Sequence, residues 1–162
     1  MVVRKVNIRK KDAKIILKNI SSTIKLKLAK SLKETLVIRL NNLNVLIVDK
    51  APLIVFKEDF SLYYPFVEST SFFECPFIEV DRGAVPFILR GADVMVPGIK
   101  CCQNFQKGEI VFIRGERINR VIAIGQALVS SSQIKVMRKG KAVKNLHYVG
   151  DKIWKVVKKE LF

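Results

Sequence analysis

Val80-Asp81-Arg82-Gly83-Ala84-Val85-Pro86-Phe87-Ile88-Leu89-Arg90-Gly91-Ala92-Asp93-Val94-Met95-Val96-Pro97-Gly98-Ile99 is the stretch that decides how this chain folds. A strand-like apolar run ends at Val80, and Asp81 follows as a residue suited to cap a helix. Residues 82–90 read as a short helix whose apolar surface comes from Val85, Phe87, Ile88 and Leu89. Gly91 stands where that helix stops, because glycine accepts the left-handed backbone of a C′ position. Pro97–Gly98 then marks a turn.

Downstream, strand signals dominate. Gly108 precedes a strand at 110–114, a longer run at 117–129 carries Gly125 inside it, and apolar runs at 142–148 and 153–157 close the set. A glycine within a strand marks a bulge or a close backbone approach. Upstream, residues 35–40, 45–48 and 53–57 read as a three-stranded antiparallel meander. Before it, Val2, Val3, Val6 and Ile8 alternate as a short strand. Asp12 then caps a helix starting near Ala13, with Ile15, Ile16 and Ile20 on one face. A second helix is predicted through Leu26, Leu28, Ala29 and Leu32. Phe60, Tyr63, Tyr64 and Phe66 surround Pro65 and read as packing residues. Five or six short strands with one early helix predict a small β-barrel behind an α+β segment.

Of 162 residues, 30 are Lys or Arg and 14 are Asp or Glu, a formal net charge of +16. The excess sits at the ends: residues 1–33 hold 11 basic and 1 acidic residue, and residues 135–162 hold 9 and 2. With 49% hydrophobic residues the chain can bury a core, so the charge is not a mark of disorder. It implies a polyanionic partner, nucleic acid before an anionic membrane. The longest uncharged run, residues 121–134, contains Gly125, Gln126 and three serines, too short and polar to span a bilayer. No apolar run follows the basic start, so no secretory signal is expected. Cys75, Cys101 and Cys102 have no CxxC spacing and fit a reducing, cytoplasmic location. The single histidine, His147, cannot alone build a His-based metal site. There is no Walker loop or HExxH, and no catalytic carboxylate pair stands out, so neither cofactor nor catalytic residue is expected.

The quoted stretch resembles the opening of a PUA domain, the RNA-binding module of pseudouridine synthases and archaeosine transglycosylases. Later segments match in order: Lys107-Gly108-Glu109-Ile110-Val111, Ala123-Ile124-Gly125-Gln126-Ala127, Gly140-Lys141-Ala142-Val143, Leu146-His147-Tyr148, Asp151 and Trp154. The basic α+β start, the meander and Tyr64-Pro65 ahead of such a module resemble the malignant-T-cell-amplified-sequence and ligatin family of translation factors. The resemblance implies an α+β fold class: a small basic α+β domain at 1–75 and a C-terminal PUA pseudo-β-barrel at 76–158. It implies a non-enzymatic RNA-binding protein acting on the small ribosomal subunit or on tRNA, in initiation, reinitiation or recycling. The implied partners are rRNA or tRNA, the small subunit and a density-regulated-protein-like protein, with no membrane. The alternative is an accessory module that delivers tRNA or rRNA to an RNA-modification enzyme.

PUA-like folds grip RNA with the early helix, the loop after it and a late strand, which singles out residues here. Gly83 and Gly91 allow close approach of a sugar–phosphate chain, and Arg82, Arg90 and Lys100 supply charge beside them. Ala92, Asp93, Pro97 and Gly98 form the loop, with Asp93 set to orient it. Lys141, His147 and Tyr148 come from the late strand, the last two as stacking surfaces for a base. The alternatives are that Gly91 is only a helix stop, Pro97–Gly98 only a turn, and His147 a structural histidine. Trp154 and the Cys101–Cys102 pair read as packing residues.

Overall fold

The computed structural model describes residues 3–27 and 32–162. It separates into two compact units, Met1–Glu74 with Val156–Phe162, and Cys75–Lys155.

In the first unit, β1 (Val3–Asn7) leads into α1 (Lys10–Ile20), and the two-residue β2 (Lys25–Leu26) follows. Then come β3 (Thr35–Leu40), β4 (Leu43–Val48), β5 (Ala51–Phe56), β6 (Tyr63–Pro65) and β7 (Phe73–Glu74). The meander is the centre of a five-stranded antiparallel sheet in the order β1-β3-β4-β5-β6. The β4–β5 loop, Asp49 and Lys50, has φ of 50° and 69°, the two left-handed residues of a tight hairpin turn. Asp49 Oδ1 accepts the backbone N–H groups of Glu34 (2.8 Å) and Lys33 (3.0 Å). Tyr64 and Phe66 are buried.

Three local expectations change here. Asp12 is not the cap of α1: the helix starts at Lys10, and Asp12 in its first turn pairs with Arg9 at 3.1 Å. The buried face of α1 is Ala13, Leu17 and Ile20, at i, i+4 and i+7, while Ile15 is 51% exposed. Ala13 and Leu17 take the inward positions beside Ile20 in place of Ile15 and Ile16, because a helix can turn only one stripe inward. The second helix fails at its described ends. Leu26 lies in β2, paired with Phe73 of β7, and Leu32 is buried outside any helix; Leu28 and Ala29 fall outside the described residues.

The second unit contains β8 (Phe77–Val80), α2 (Val85–Ile88), β9 (Val94–Met95), β10 (Ile99–Cys102), β11 (Ile110–Gly115), β12 (Val121–Ala127), α3 (Ser131–Val136) and β13 (Lys141–Tyr148). The sheet order is β10-β8-β11-β12-β13-β9, with β8 and β11 parallel and the other pairs antiparallel. Its two outermost strands, β9 and β10, are consecutive in the chain. Only a 3₁₀ turn, Val96–Gly98, joins them. Sheet edges tied by so short a link must curl toward each other, which gives a nearly closed pseudo-barrel. Ile78, Val80, Val111, Ile113, Ala123 and Val143 form its buried interior with Ile88 of α2.

Gly125 meets both sequence expectations. The register with β13 shifts between Ile124 and Gly125, and a Cβ there would lie 2.3 Å from Val143 Cγ1 and 2.9 Å from the Lys144 carbonyl oxygen. The run at 153–157 is not a strand. It belongs to α4 (Lys152–Leu161), because Asp151 Oδ1 accepts the Trp154 N–H at 2.8 Å and Asp151 O accepts the Lys155 N–H. Val157 is fully buried and Trp154 half-buried.

Candidate nucleic-acid interface

The helix expected over 82–90 is a single turn. Pro86 is its second residue, and proline has no N–H to give the carbonyl four residues back. A helix starting at Arg82 would need that bond, so residues 82–84 form a turn instead. Asp81 closes it, its Oδ1 accepting the Ala84 N–H at 2.8 Å.

The exit from α2 is tightly specified. Gly91 has φ of 97°. Its N–H donates to Ile88 O, and the Ala92 N–H donates to Phe87 O, both at 3.0 Å. These are the two bonds of a Schellman stop. Asn145 on β13, a residue the sequence reading passed over, fixes the same loop. Its Nδ2 donates to Ile88 O and to Ala92 O at 3.0 Å each, and its backbone N–H donates to Asp93 Oδ1 at 2.9 Å. Asp93 therefore orients the loop from β13. Burial raises its carboxyl pKa, but the Asn145 N–H and the Lys141 ammonium, 3.2 Å from Oδ2, outweigh that and hold it below the usual carboxylate range.

Tyr148 lies against the same loop: a Cβ on Gly91 would meet its Cε1 and Oη at 3.4 Å. Gly91, Ala92, Asp93, Lys141 and Tyr148 thus come together around Asn145. Pro97 and Gly98 belong to the turn between β9 and β10, where Gly98 O accepts the Asp81 N–H at 2.8 Å and ties that turn to the start of the 82–84 segment. Arg82, Gly83 and Arg90 are exposed, and among the described residues neither arginine has a carboxylate within ion-pair distance. Lys100 is also exposed, but Glu116 lies 3.9 Å away.

His147 leaves the set. Its side chain is 0% exposed and its Nδ1 lies 2.6 Å from Asp151 Oδ2, so no ring face is open to a base. Burial pushes the Asp151 carboxyl up, yet the bonds from His147, Trp154 and Tyr148 hold it below its ordinary value. Phe87 and Leu89, read as helix packing surface, are 62% and 36% exposed, whereas Ile88 between them is 1% exposed. A one-turn helix can bury only one side, and the other presents two apolar side chains beside Arg90.

A family model described as "PUA domain" matches residues 76–149. An uncharacterized protein of Methanocaldococcus jannaschii is 38% identical over 115 residues, covering 70% of this chain and 71% of the relative. The chain is a PUA-domain protein. A crystal structure of a hypothetical protein from Pyrococcus horikoshii is similar to it along almost its whole length, with 32% identity, a TM-score of 0.77 and coverage of 95% of this chain and 99% of that one. Translation machinery-associated protein 20 of Saccharomyces cerevisiae is 35% identical over 86 residues, 49% of this chain and 48% of the relative. The PUA-domain protein thus spans about half the length of this yeast relative. The region matched by the PUA family model, residues 76–149, contains the Gly91 loop, Asn145 and Tyr148. Among the described residues no helix is long and apolar enough to cross a membrane.

Proposed function

We propose that this PUA-domain protein is a non-enzymatic RNA-binding factor of translation that acts on the small ribosomal subunit or on tRNA, with residues 76–158 as its RNA-binding domain. One observation carries the binding reading. Arg82 and Gly83 are exposed on the turn that Asp81 closes, and Arg90 and Gly91 are exposed on the loop that Asn145 and Asp93 hold in place. Exposed arginines without carboxylate partners are free to take phosphates, and a glycine at positive φ keeps the backbone open to close approach. Lys141 and Lys100 add charge once a phosphate competes with Asp93 and Glu116. Phe87, Leu89 and Tyr148 provide apolar surface for unstacked bases. The translation reading is supported by the relative named for the translation machinery.

Replacing Arg82 and Arg90 by Ala is set against replacing Lys155 and Lys159 by Ala. All four are exposed, and each pair removes two charges. For roughly four to six phosphate contacts on a single strand, the log–log salt slope of binding should be about −3 to −4, and the arginine pair should reduce it by about 1.4. Equal losses from both pairs mean diffuse attraction and rule out the loop as the site. Crosslinking in cells then identifies the RNA. Small-subunit ribosomal RNA supports the translation role, while a guide RNA or tRNA without ribosome favours delivery to a modification enzyme.

A further inference from the structure

The first unit carries a cleft of about 320 Å³ that RNA binding by the second unit leaves unused. α1 forms one wall of it and the five-stranded sheet forms its floor. Strand register sets three floor side chains in a row, Arg39 opposite Asn44 and Asn44 opposite Phe56, and places Arg4 opposite Arg39 on the neighbouring strand. Ile8, Ile15, Ile16 and Val37 supply aliphatic lining, and Ile15 at the lip is 51% exposed. Phe60 stacks on Phe56 with centroids 5.4 Å apart and rings 9° from parallel.

The charges at this cleft are unequal. The Asp12 carboxylate is held by Arg9 at 3.1 Å, and Glu58 accepts the Asn44 amide at 2.9 Å. Arg39 is the one exposed residue of β3. Among the described residues neither it nor Arg4 has a carboxylate within ion-pair distance. Like charges directly opposite on paired strands repel. The fold therefore sets Arg4 directly opposite Arg39 of the cleft, neither of them ion-paired among the described residues, on a unit whose first 33 residues hold 11 basic and 1 acidic residue.

We propose that this cleft docks an acidic, apolar segment of a protein partner. A large apolar side chain enters between Ile15, Ile16 and Val37, and a neighbouring carboxylate bridges Arg39 and Arg4, with the strength of charge-assisted pairing. A nucleic acid fits less well. Ile8, Ile15, Ile16 and Val37 make the lining largely aliphatic, and Phe56 is buried in its stack with Phe60, so the cleft suits an apolar side chain better than a base.

The test pans a phage-displayed library of random dodecapeptides on the whole protein and maps a winning synthetic peptide by amide chemical shifts. The expected winners place Asp or Glu beside a large apolar residue and shift Ile15, Ile16 and Arg39. Arg4→Glu with Arg39→Glu should weaken them about tenfold or more, while Arg39→Lys retains binding and Ile15→Asp loses it. Circular dichroism checks that each variant is folded, and RNA affinity of Ile15→Asp should be unchanged, which separates this site from the RNA interface. Winners without carboxylates, shifts confined elsewhere, indifference to charge reversal, or an oligoribonucleotide that displaces the peptide from these residues would overturn the proposal.

Discussion

Asn145 offers the sharpest perturbation of the RNA-facing loop. Its amide donates to Ile88 O and Ala92 O at 3.0 Å each, and an intramolecular hydrogen bond contributes about 0.5–1.5 kcal/mol net. Asn145→Ala should therefore cost about 1–3 kcal/mol, a fall in Tm of about 2–4 °C for each kcal/mol in a chain of this size. Asn145→Asp keeps the shape but turns a carboxylate toward two carbonyl oxygens and Asp93, so it should cost more than Ala. The order Asp worse than Ala separates donor loss from cavity formation. If the loop presents Arg90 and Gly91 to RNA, part of this cost reappears in affinity, at about tenfold per 1.4 kcal/mol. The salt slope should stay at the wild-type value, because no phosphate contact is removed. Lys144→Ala, one residue away on β13 and exposed, is the control: it removes a charge and leaves the loop bonds intact. Thermal denaturation and fluorescence anisotropy with a labelled oligoribonucleotide at two salt concentrations give all the quantities. An Asn145→Ala protein with wild-type affinity and lowered Tm would show that loop order does not govern binding, and a changed slope would contradict the assigned role.

Gly125→Ala should destabilise the second unit by about 1–3 kcal/mol, because the new methyl meets the Lys144 carbonyl as well as the movable Val143 side chain; a wild-type Tm would mean that the bulge yields freely. The depressed Asp151 carboxyl contributes stability that is fully present above the ordinary carboxylate range and lost as pH falls through its lower folded value. Asp151→Asn should lower Tm at pH 7 and flatten the acid limb of the stability profile, and an unchanged acid limb would exclude Asp151 as its source. Burial, with Glu109 nearby, pushes the Cys75 thiol up to about 12, so a thiol-specific reagent at pH 8 should modify exposed Cys101 first and Cys75 last, as peptide mass mapping would reveal.

The barrel was readable because its punctuation is local. Gly91 stops α2, Gly125 marks a bulge, and the strand runs before and after them keep their pattern in the fold. What stayed hidden depended on partners distant in sequence or on competing periods. Residues 153–157 suit a strand as well as a helix over so short a span, and only the Asp151 cap decides between them. The α3 helix had a usable signal, the reciprocal capping box of Ser130 and Gln133, which lies in a run read only for its lack of charge. Arg82 and Arg90 remained exposed as expected. His147 was lost to the surface through a carboxylate four residues on, and Asn145 became visible as a loop support only once β13 lay beside the end of α2.

The three-residue link between β9 and β10 has a consequence for the protein as a solute. An open six-stranded sheet offers two rows of unpaired backbone groups on which another chain can add a strand, the route by which sheets grow into fibrils. Here those rows belong to strands of two and four residues, and the chain itself draws them toward one another. The second of them is further broken by a register shift between Ile99 and Cys101. Neither edge is long or regular enough to template a newcomer, so the barrel can be crowded together with copies of itself without its strands being recruited into aggregates.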